Sequence, residues 1–194
     1  IVPIGAWVLQ EACMQAKQWH DSGHHELVMC VNLSARQFQE EALSEHIESA
    51  LTNSGLSPEF LELELTESIL MVNPGNAIEL LKRLAGFGIR MAIDDFGTGY
   101  SSLAYLKLFP VHRLKIDRSF VRDLTIDPND AAIVEAIIAM ARSLKLSVIA
   151  EGVETDAQMQ YLIQHSCVEI QGYYFSKPRL AIELEGCNFK FPYD

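Results

Sequence analysis

The sequence predicts an α/β fold in which short strands alternate with longer helices, and it favours a modified TIM-like (β/α) barrel. Three observations support this prediction. Extended runs alternate with helical ones from residue 27 onward, and repeated units of this kind build parallel sheets. Nearly every extended run also ends in a polar residue. A closed barrel brings such ends to one rim, where active sites of that architecture lie, whereas an open sheet spreads them along an edge.

Six strands are predicted from the period of apolar residues and from the turn-forming residues between the runs. In chain order they cover residues 27–32, 61–66, 90–94, 113–117, 147–151 and 168–173. A closed barrel has eight strands. We therefore expect about six of the eight, with the front of the barrel missing before an amphipathic helix around residues 3–19.

Three further helices are predicted between these strands, at residues 42–54, 77–87 and 131–144. The last one follows Asp127, Pro128, Asn129 and Asp130, which are good residues for a helix cap and a first turn. Glycines lie at the expected helix ends, at positions 55, 86 and 88. No repeat or linker indicates a second domain, so residues 1–194 are expected to form one partial domain.

The charge of the chain excludes one class of partner. The 194 residues carry 26 carboxylates and 15 Lys and Arg, for a net charge of −11. Binding to a nucleic acid polymer requires clustered positive charge, so we expect no such partner. No apolar run approaches the roughly 20 residues that span a bilayer. The chain is expected to be cytoplasmic, although the parent protein is open to a membrane tether.

The number and spacing of the cysteines indicate a protein of a reducing compartment. Four are scattered through the chain, at Cys13, Cys30, Cys167 and Cys187, without a CxxC pair. Secreted domains of this size use denser and paired cysteines. We expect free thiols.

The strand at 61–66 carries acidic residues on one face. Alternation with a period of two places Glu62, Glu64 and Thr66 on one side and three leucines on the other. In a barrel the leucines would pack under the helices and the glutamates would point inward. The alternative is an amphipathic edge strand with solvated glutamates.

Asp94 and Asp95 follow an apolar run and precede a glycine-rich turn. Adjacent aspartates at a strand end suit two hard divalent cations, which together clamp the attacking and leaving oxygens of a phosphodiester. The alternative is a turn in which an aspartate caps the next helix. Because Asn32 and Glu64 also lie at strand ends, metal binding is favoured.

Polar residues at the remaining strand ends complete the predicted rim. Lys115 shares a face with Asp117. It is suited to orienting or deprotonating a water or steadying charge on phosphorus, and also to an ion pair with Asp117, and the two roles can coexist. Glu151 is either a further ligand or a carboxylate held by the following helix. Gln171 is suited to a hydrogen bond with a base or phosphate.

Six segments taken together resemble the EAL family of cyclic di-GMP phosphodiesterases. They are VNLSARQF at 31–38, ELTES at 64–68, DDFGTGYSSL at 94–103, LKID at 114–117, EGVET at 151–155 and QGYYFSKP at 171–178. An ordered set of this kind is far more specific than any single motif. The resemblance implies a modified barrel that opens one phosphodiester of cyclic di-GMP to give linear pGpG, with two Mg²⁺ or Mn²⁺ ions.

The resemblance also implies a role for individual residues. Asn32, Glu64 and Asp94 match ligands of the first metal, Asp94 bridges to the second, and Asp95 and Glu151 lie near that second ion. Lys115 matches the residue that contacts the catalytic water, so the expected catalytic set is Lys115, Glu151 and Asp95. Gln171 at the rim and Asp117 are expected to contact substrate. Glu67 matches a glutamate that supports the loop after Asp95, which the family uses to couple dimerisation to the metal site.

One departure from the family leaves two functions open. The glutamate of the Glu-Ala-Leu signature, a ligand of the first metal, would lie before Ile1. The first reading is an active hydrolase sequence that has been shortened, with a homodimer and with sensory or GGDEF-type domains in the parent protein. The second is a catalytically inactive module that binds cyclic di-GMP or another protein. The downstream ligands are all present, which favours the enzyme.

Overall fold

The structure is a computed structural model that describes residues 1–99 and 103–186. Helices and strands alternate along the described chain. The helices are α1 (Val2–Asp21), α2 (Ala35–Phe38), α3 (Leu43–Ser54), α4 (Glu67–Val72), α5 (Pro74–Gly86), α6 (Leu103–Leu106), α7 (Arg118–Arg122), α8 (Pro128–Leu144), α9 (Asp156–Gln164) and α10 (Ala181–Gly186). The strands are β1 (Met29–Asn32), β2 (Leu61–Thr66), β3 (Arg90–Phe96), β4 (Arg113–Ile116), β5 (Ser147–Ala150) and β6 (Glu169–Ile170). No described helix is long and apolar enough to cross a membrane.

The six predicted strands are all present, and in the sheet they follow one another in chain order, from β1 to β6. The pair β1 and β2 is parallel, as are the pairs β4 with β5 and β5 with β6. Three strands end earlier than predicted, so Asp117, Glu151 and Gln171 lie just beyond them. Hydrogen bonds nevertheless continue the pairing, because the Glu151 N–H donates to the Ile116 carbonyl and the Gln171 N–H donates to the Ala150 carbonyl.

Two helices begin a turn earlier than predicted, for the same physical reason. Helix α5 begins at Pro74 after Asn73, whose side chain accepts from the Asn76 N–H. Helix α8 begins at Pro128 after Asp127, whose carboxylate accepts from the Asn129 N–H. Proline suits the first helical position because its missing N–H has no intrahelical partner there. In both cases proline marks the start of the helix.

The chain divides into two units. The first comprises Ile1–Ala92 and the described part of Ser102–His112, and the second comprises the described residues of Ile93–Ser101 and Arg113–Asp194. In the first unit α1 packs on α3 and β1. Leu9, Cys13 and Ile47 are buried between these elements at no more than 1% exposure.

The second unit is built on β4, β5 and β6. Helix α8 packs on β4, β5 and α7. The described core includes Leu114, Ile116, Val134 and Ala141, all at 0% exposure. Burial of this apolar surface holds the two strands from which the polar residues at 115, 117 and 151 emerge.

Candidate active site

The register of β1 and β2 determines which polar residues of the first unit lie side by side. Cys30 lies beside Glu62, and Asn32 lies beside Glu64. Residues two apart on a strand point to the same face, so the four side chains belong to one face of this strand pair. The opposite face of β2 carries Leu61, Leu63 and Leu65, all at 0% exposure.

The two glutamates of β2 are buried, with Glu62 1% exposed and Glu64 6% exposed. The alternative of an edge strand with solvated glutamates is therefore wrong. The Cys30 thiol donates to Glu62 at 3.8 Å. One ligand atom from each of Cys30, Glu62 and Glu64 lies within 4.8 Å of the others.

The sequence motifs assign no role to Cys30 or Glu62. The signal that identifies them is the period of two, because each precedes a predicted ligand by two residues. Cys30 precedes Asn32 on β1, and Glu62 precedes Glu64 on β2. Residues at that spacing share the face of the predicted ligands.

Glu67, the predicted support of the loop after Asp95, is the first residue of α4 and is 3% exposed. A carboxylate at a helix N-terminus is favoured by the dipole of the helix. The middle of the loop, Tyr100, Ser101 and Ser102, lies outside the described residues. The support role of Glu67 stays a prediction.

In the second unit a carboxylate cluster forms at the ends of β3 and β5. Asp94 is 9% exposed, and its Oδ1 accepts the Asp95 N–H at 3.1 Å. One oxygen from each of Asp94, Asp95 and Glu151 lies within 4.8 Å of the others. Asp95 has a φ of 52°, a left-handed conformation that aspartate adopts more readily than branched residues. At this turn the buried Asp94 is followed directly by the half-buried Asp95.

Lys115 lies between two of these carboxylates. Its Nζ is 2.7 Å from Glu151 and 3.1 Å from Asp94, and its side chain is 5% exposed. The alternative ion pair with Asp117 is therefore replaced by pairs with Asp94 and Glu151. The reason is register: Lys115 pairs with Ile149 on β5, which places it beside the end of the strand that leads to Glu151.

Asp117 instead caps α7, where its carboxylate accepts from the N–H and hydroxyl of Ser119. Burial alone raises the pKa of Asp117, but the hydrogen bonds from Ser119 and the one shared with Asp95 lower it overall. The pKa of Asp95 is raised, first by burial and then by the charge of Asp94 and the contact with Asp117. Lys115 acts against that rise. The cluster therefore disfavours a negative charge on Asp95, so that this carboxyl holds its proton more tightly than a free aspartate does.

Two cavities adjoin the cluster in the second unit. One of about 210 Å³ is lined by Arg118, Glu151, Gly152, Glu154, Gln171, Gly172 and Tyr173. The other, of about 490 Å³, is lined by Asp117, Arg118, Ser119, Arg122, Gly152, Glu154 and Gln158. Both predicted substrate residues, Asp117 and Gln171, therefore line a cavity. Arg118 and Glu154, which the sequence motifs do not single out, line both cavities.

Two glycines fix the loop that carries Glu151. Gly152 has a φ of 72°, and a Cβ there would lie 2.5 Å from the Arg118 Cβ. A Cβ on Gly172 would lie 2.0 Å from the Val153 carbonyl oxygen. The chain after β6 thus passes against the loop at a distance that admits only glycine.

A cavity of about 630 Å³ in the first unit exceeds both of these in volume. It lies between the residues after α2 and helices α4 and α5, and Phe38, Ile69 and Leu80 contribute apolar lining. None of its lining residues belongs to either ligand cluster. The chemistry of the side chains, rather than the volume of the cavity, locates the candidate site.

The donor atoms of the second unit fit hard divalent cations. Carboxylate oxygens are the ligands that Mg²⁺ and Mn²⁺ prefer, and Asp94, Asp95 and Glu151 supply three carboxylates within 4.8 Å. The sequence profile described as the EAL domain matches residues 1–178. The chain belongs to the EAL domain family.

The EAL domain is similar in sequence to a protein of Pseudomonas aeruginosa. It is 47% identical over 184 residues to the "Bifunctional diguanylate cyclase/cyclic di-GMP phosphodiesterase MucR", covering 95% of this chain and 27% of that protein. The solved "PaMucR Phosphodiesterase, c-di-GMP complex" matches with a TM-score of 0.93 at 47% identity, covering 95% of this chain and 74% of the other. This chain thus spans about a quarter of the length of MucR.

A second similar solved structure is described as a complex with manganese. The "Klebsiella pneumoniae BlrP1 pH 6 manganese/cy-diGMP complex" matches the EAL domain with a TM-score of 0.84 at 29% identity, covering 93% of this chain and 45% of the other. The predicted α/β class with a TIM-barrel-like EAL fold is confirmed by the match to MucR.

Proposed function

We propose that this EAL domain hydrolyses one phosphodiester of cyclic di-GMP to linear pGpG with the help of two divalent cations, Mg²⁺ or Mn²⁺. The observation that carries the proposal is the cluster of Asp94, Asp95 and Glu151 around Lys115. It occurs in a chain 47% identical to a MucR domain solved as a phosphodiesterase with cyclic di-GMP. BlrP1, a further relative, is described with manganese and cyclic di-GMP.

The proposed metal ligands are Asn32 and Glu64 in the first unit and Asp94, Asp95 and Glu151 in the second. When bound, two such cations polarise the phosphoryl oxygens and stabilise the charge that develops on them. The carboxylates hold the ions in place, and the burial of Glu64 and Asp94 keeps competing water away from these oxygens. Glu67 is proposed to support the loop after Asp95.

Lys115 is proposed as the residue that orients the attacking water and steadies the charge that develops on phosphorus. Its ammonium is held on two sides by Asp94 and Glu151, so its Nζ has a fixed position rather than a mobile one. A fixed donor in a partly dry site is more effective than a solvated one. Gln171 and Asp117, which line the two cavities beside the cluster, are proposed to contact the substrate.

The setting of the domain is part of the same proposal. The relative MucR is named as a bifunctional protein and is far longer than this chain. We therefore propose that the parent protein carries sensory or GGDEF-type domains, that it acts in the cytoplasm, and that the EAL domain forms a homodimer. Sedimentation in the presence of metal and cyclic di-GMP tests the dimer, and a monomer alone would contradict it.

The test of the function is hydrolysis of cyclic di-GMP by the 194-residue chain with Mg²⁺ or Mn²⁺, with pGpG followed by chromatography. We expect turnover in the wild type, a loss of at least about 10²-fold in Asp94→Asn and Glu151→Gln, and no change in Glu79→Gln, an exposed glutamate on α5. Calorimetry measures binding separately. Binding of cyclic di-GMP without any pGpG from the wild type would contradict the proposal and support the non-catalytic module.

A further inference from the structure

The first unit contains a donor set that differs in chemistry from the carboxylate cluster. It consists of one sulfur and two carboxylates, from Cys30, Glu62 and Glu64, with ligand atoms within 4.8 Å of one another. The parallel register places Cys30 beside Glu62, so two neighbouring strands hold the donors. Strands fix the positions of these side chains more firmly than loops do.

Sulfur decides which metal such a set takes. Mg²⁺, Ca²⁺ and Mn²⁺ prefer oxygen ligands, whereas a thiolate favours Zn²⁺ and similar softer ions. Zn²⁺ accepts cysteine and carboxylate ligands in a tetrahedral arrangement, with Zn–S of about 2.3 Å and Zn–O of about 2.0 Å. These lengths place a sulfur and an oxygen ligand about 3.5 Å apart. The observed distance from Cys30 Sγ to Glu62 Oε1 is 3.8 Å.

The three donors also differ from one another in exposure. Glu62 and Glu64 are 1% and 6% exposed, while Cys30 is exposed. Three protein ligands leave a fourth tetrahedral position for water.

We propose that Cys30, Glu62 and Glu64 form a binding site for a thiophilic divalent cation of the Zn²⁺ class. This site differs from the proposed Mg²⁺ or Mn²⁺ sites in its sulfur ligand and shares Glu64 with them. Its test reads a metal–sulfur absorption rather than hydrolysis of cyclic di-GMP, so the failure of one proposal is distinguishable from the failure of the other.

Co²⁺ is the probe, because it occupies zinc sites and its bond to sulfur gives a charge-transfer absorption in the near ultraviolet. We expect the wild-type chain to develop this band at one equivalent of Co²⁺, and Zn²⁺ to abolish it, since Zn²⁺ binds such donors more tightly. Cys30→Ser removes the band. Glu62→Gln keeps it but weakens Co²⁺ binding by at least about tenfold, since even second-shell changes cost 10- to 100-fold.

Cys13→Ala is the matched control, because Cys13 is a buried thiol of the same unit at 0% exposure. It is expected to retain the full band. Circular dichroism of each variant shows whether the fold is intact, so that a lost band in Cys30→Ser is not mistaken for unfolding. The absence of the band in the wild type, or its persistence in folded Cys30→Ser, would overturn the proposal.

Discussion

Nζ of Lys115 lies 2.7 Å from Oε1 of Glu151. Lys115 belongs to β4, and Glu151 follows the adjacent strand β5, so the pair joins two neighbouring strand ends. The same ammonium contacts Asp94 at 3.1 Å. A buried lysine held by two carboxylates is positioned for chemistry, and it also neutralises part of the charge of the cluster.

Replacement of Lys115 tests which of these roles dominates. In Lys115→Ala we expect turnover of cyclic di-GMP to fall by at least about 10²-fold, the scale for losing an acid-base group, while calorimetric affinity for cyclic di-GMP stays nearly unchanged. The control is Lys82→Ala, an exposed lysine on α5. Unchanged turnover in Lys115→Ala would remove its proposed role.

The backbone of Asp95 predicts a difference between two substitutions. Because its φ is 52°, a β-branched residue is strained there, and Asp95→Val is expected to lower the free energy of unfolding by about 1–2 kcal/mol. Asparagine tolerates this conformation, so Asp95→Asn keeps stability while it removes a carboxylate. Urea unfolding measures both. Equal stability of Asp95→Val and wild type would contradict the strain.

Gly172 is expected to be essential to the loop of Glu151. Its Cβ would meet the Val153 backbone at 2.0 Å, so Gly172→Ala displaces the loop and lowers stability by at least about 2 kcal/mol. Gly86→Ala is the control, because a Cβ there meets nothing within 4 Å. Alanine favours helix by about 0.5–1 kcal/mol over glycine. Thermal unfolding that ranks Gly172→Ala at or above Gly86→Ala would contradict this packing.

The thiols are expected to react at different rates. Burial raises the pKa of Cys13 and of Cys167 to about 11 from 9.0, whereas Cys30 is exposed. At pH 8 iodoacetamide should alkylate Cys30 at least about 10²-fold faster than the buried pair, because only the thiolate reacts. Peptide mass spectrometry assigns each adduct. Comparable rates at Cys13 and Cys30 in folded protein would contradict the burial.

The same pKa shifts make stability depend on pH at the alkaline end. The folded chain holds the protons of Cys13 and Cys167 more tightly than the unfolded chain does. Their contribution to stability is fully present below about pH 9 and is lost as the pH rises toward 11. We expect a smaller loss of unfolding free energy over this range in Cys13→Ala than in the wild type. An identical loss in both would exclude a contribution from Cys13.

The sequence also predicted the chemical state of the cysteines. Cys13, Cys30 and Cys167 are free thiols, which confirms the expectation for the described part of the chain, while Cys187 lies outside it. Spacing sufficed here because no two cysteines fall at a distance typical of a disulfide framework. The burial of each thiol is not predictable in the same way, because the sequence period of a helix does not show which other elements pack against it.

Alternation alone predicts the extent of β2 correctly, at residues 61–66. The predicted strands β4, β5 and β6 extend past their observed ends. The sequence does not distinguish a polar residue that continues a strand from one that begins a turn. Asp117 shows the difference, since its carboxylate caps α7. Local capping competes with strand pairing for such residues. At Asp117 the following helix α7 ends the strand, because the aspartate caps it.

The α/β class, the six strands and the family follow from the order of the amino acids alone, because period, turn residues and ordered motifs are properties of neighbours along the chain. The same order also places Asp94, Asp95, Lys115 and Glu151 at strand ends. The folded arrangement was needed to show that Lys115 pairs with Asp94 and Glu151 rather than with Asp117, and that the Cys30 thiol donates to Glu62. Those contacts depend on the register between strands, which brings together residues far apart in the sequence and is fixed where one strand face is buried.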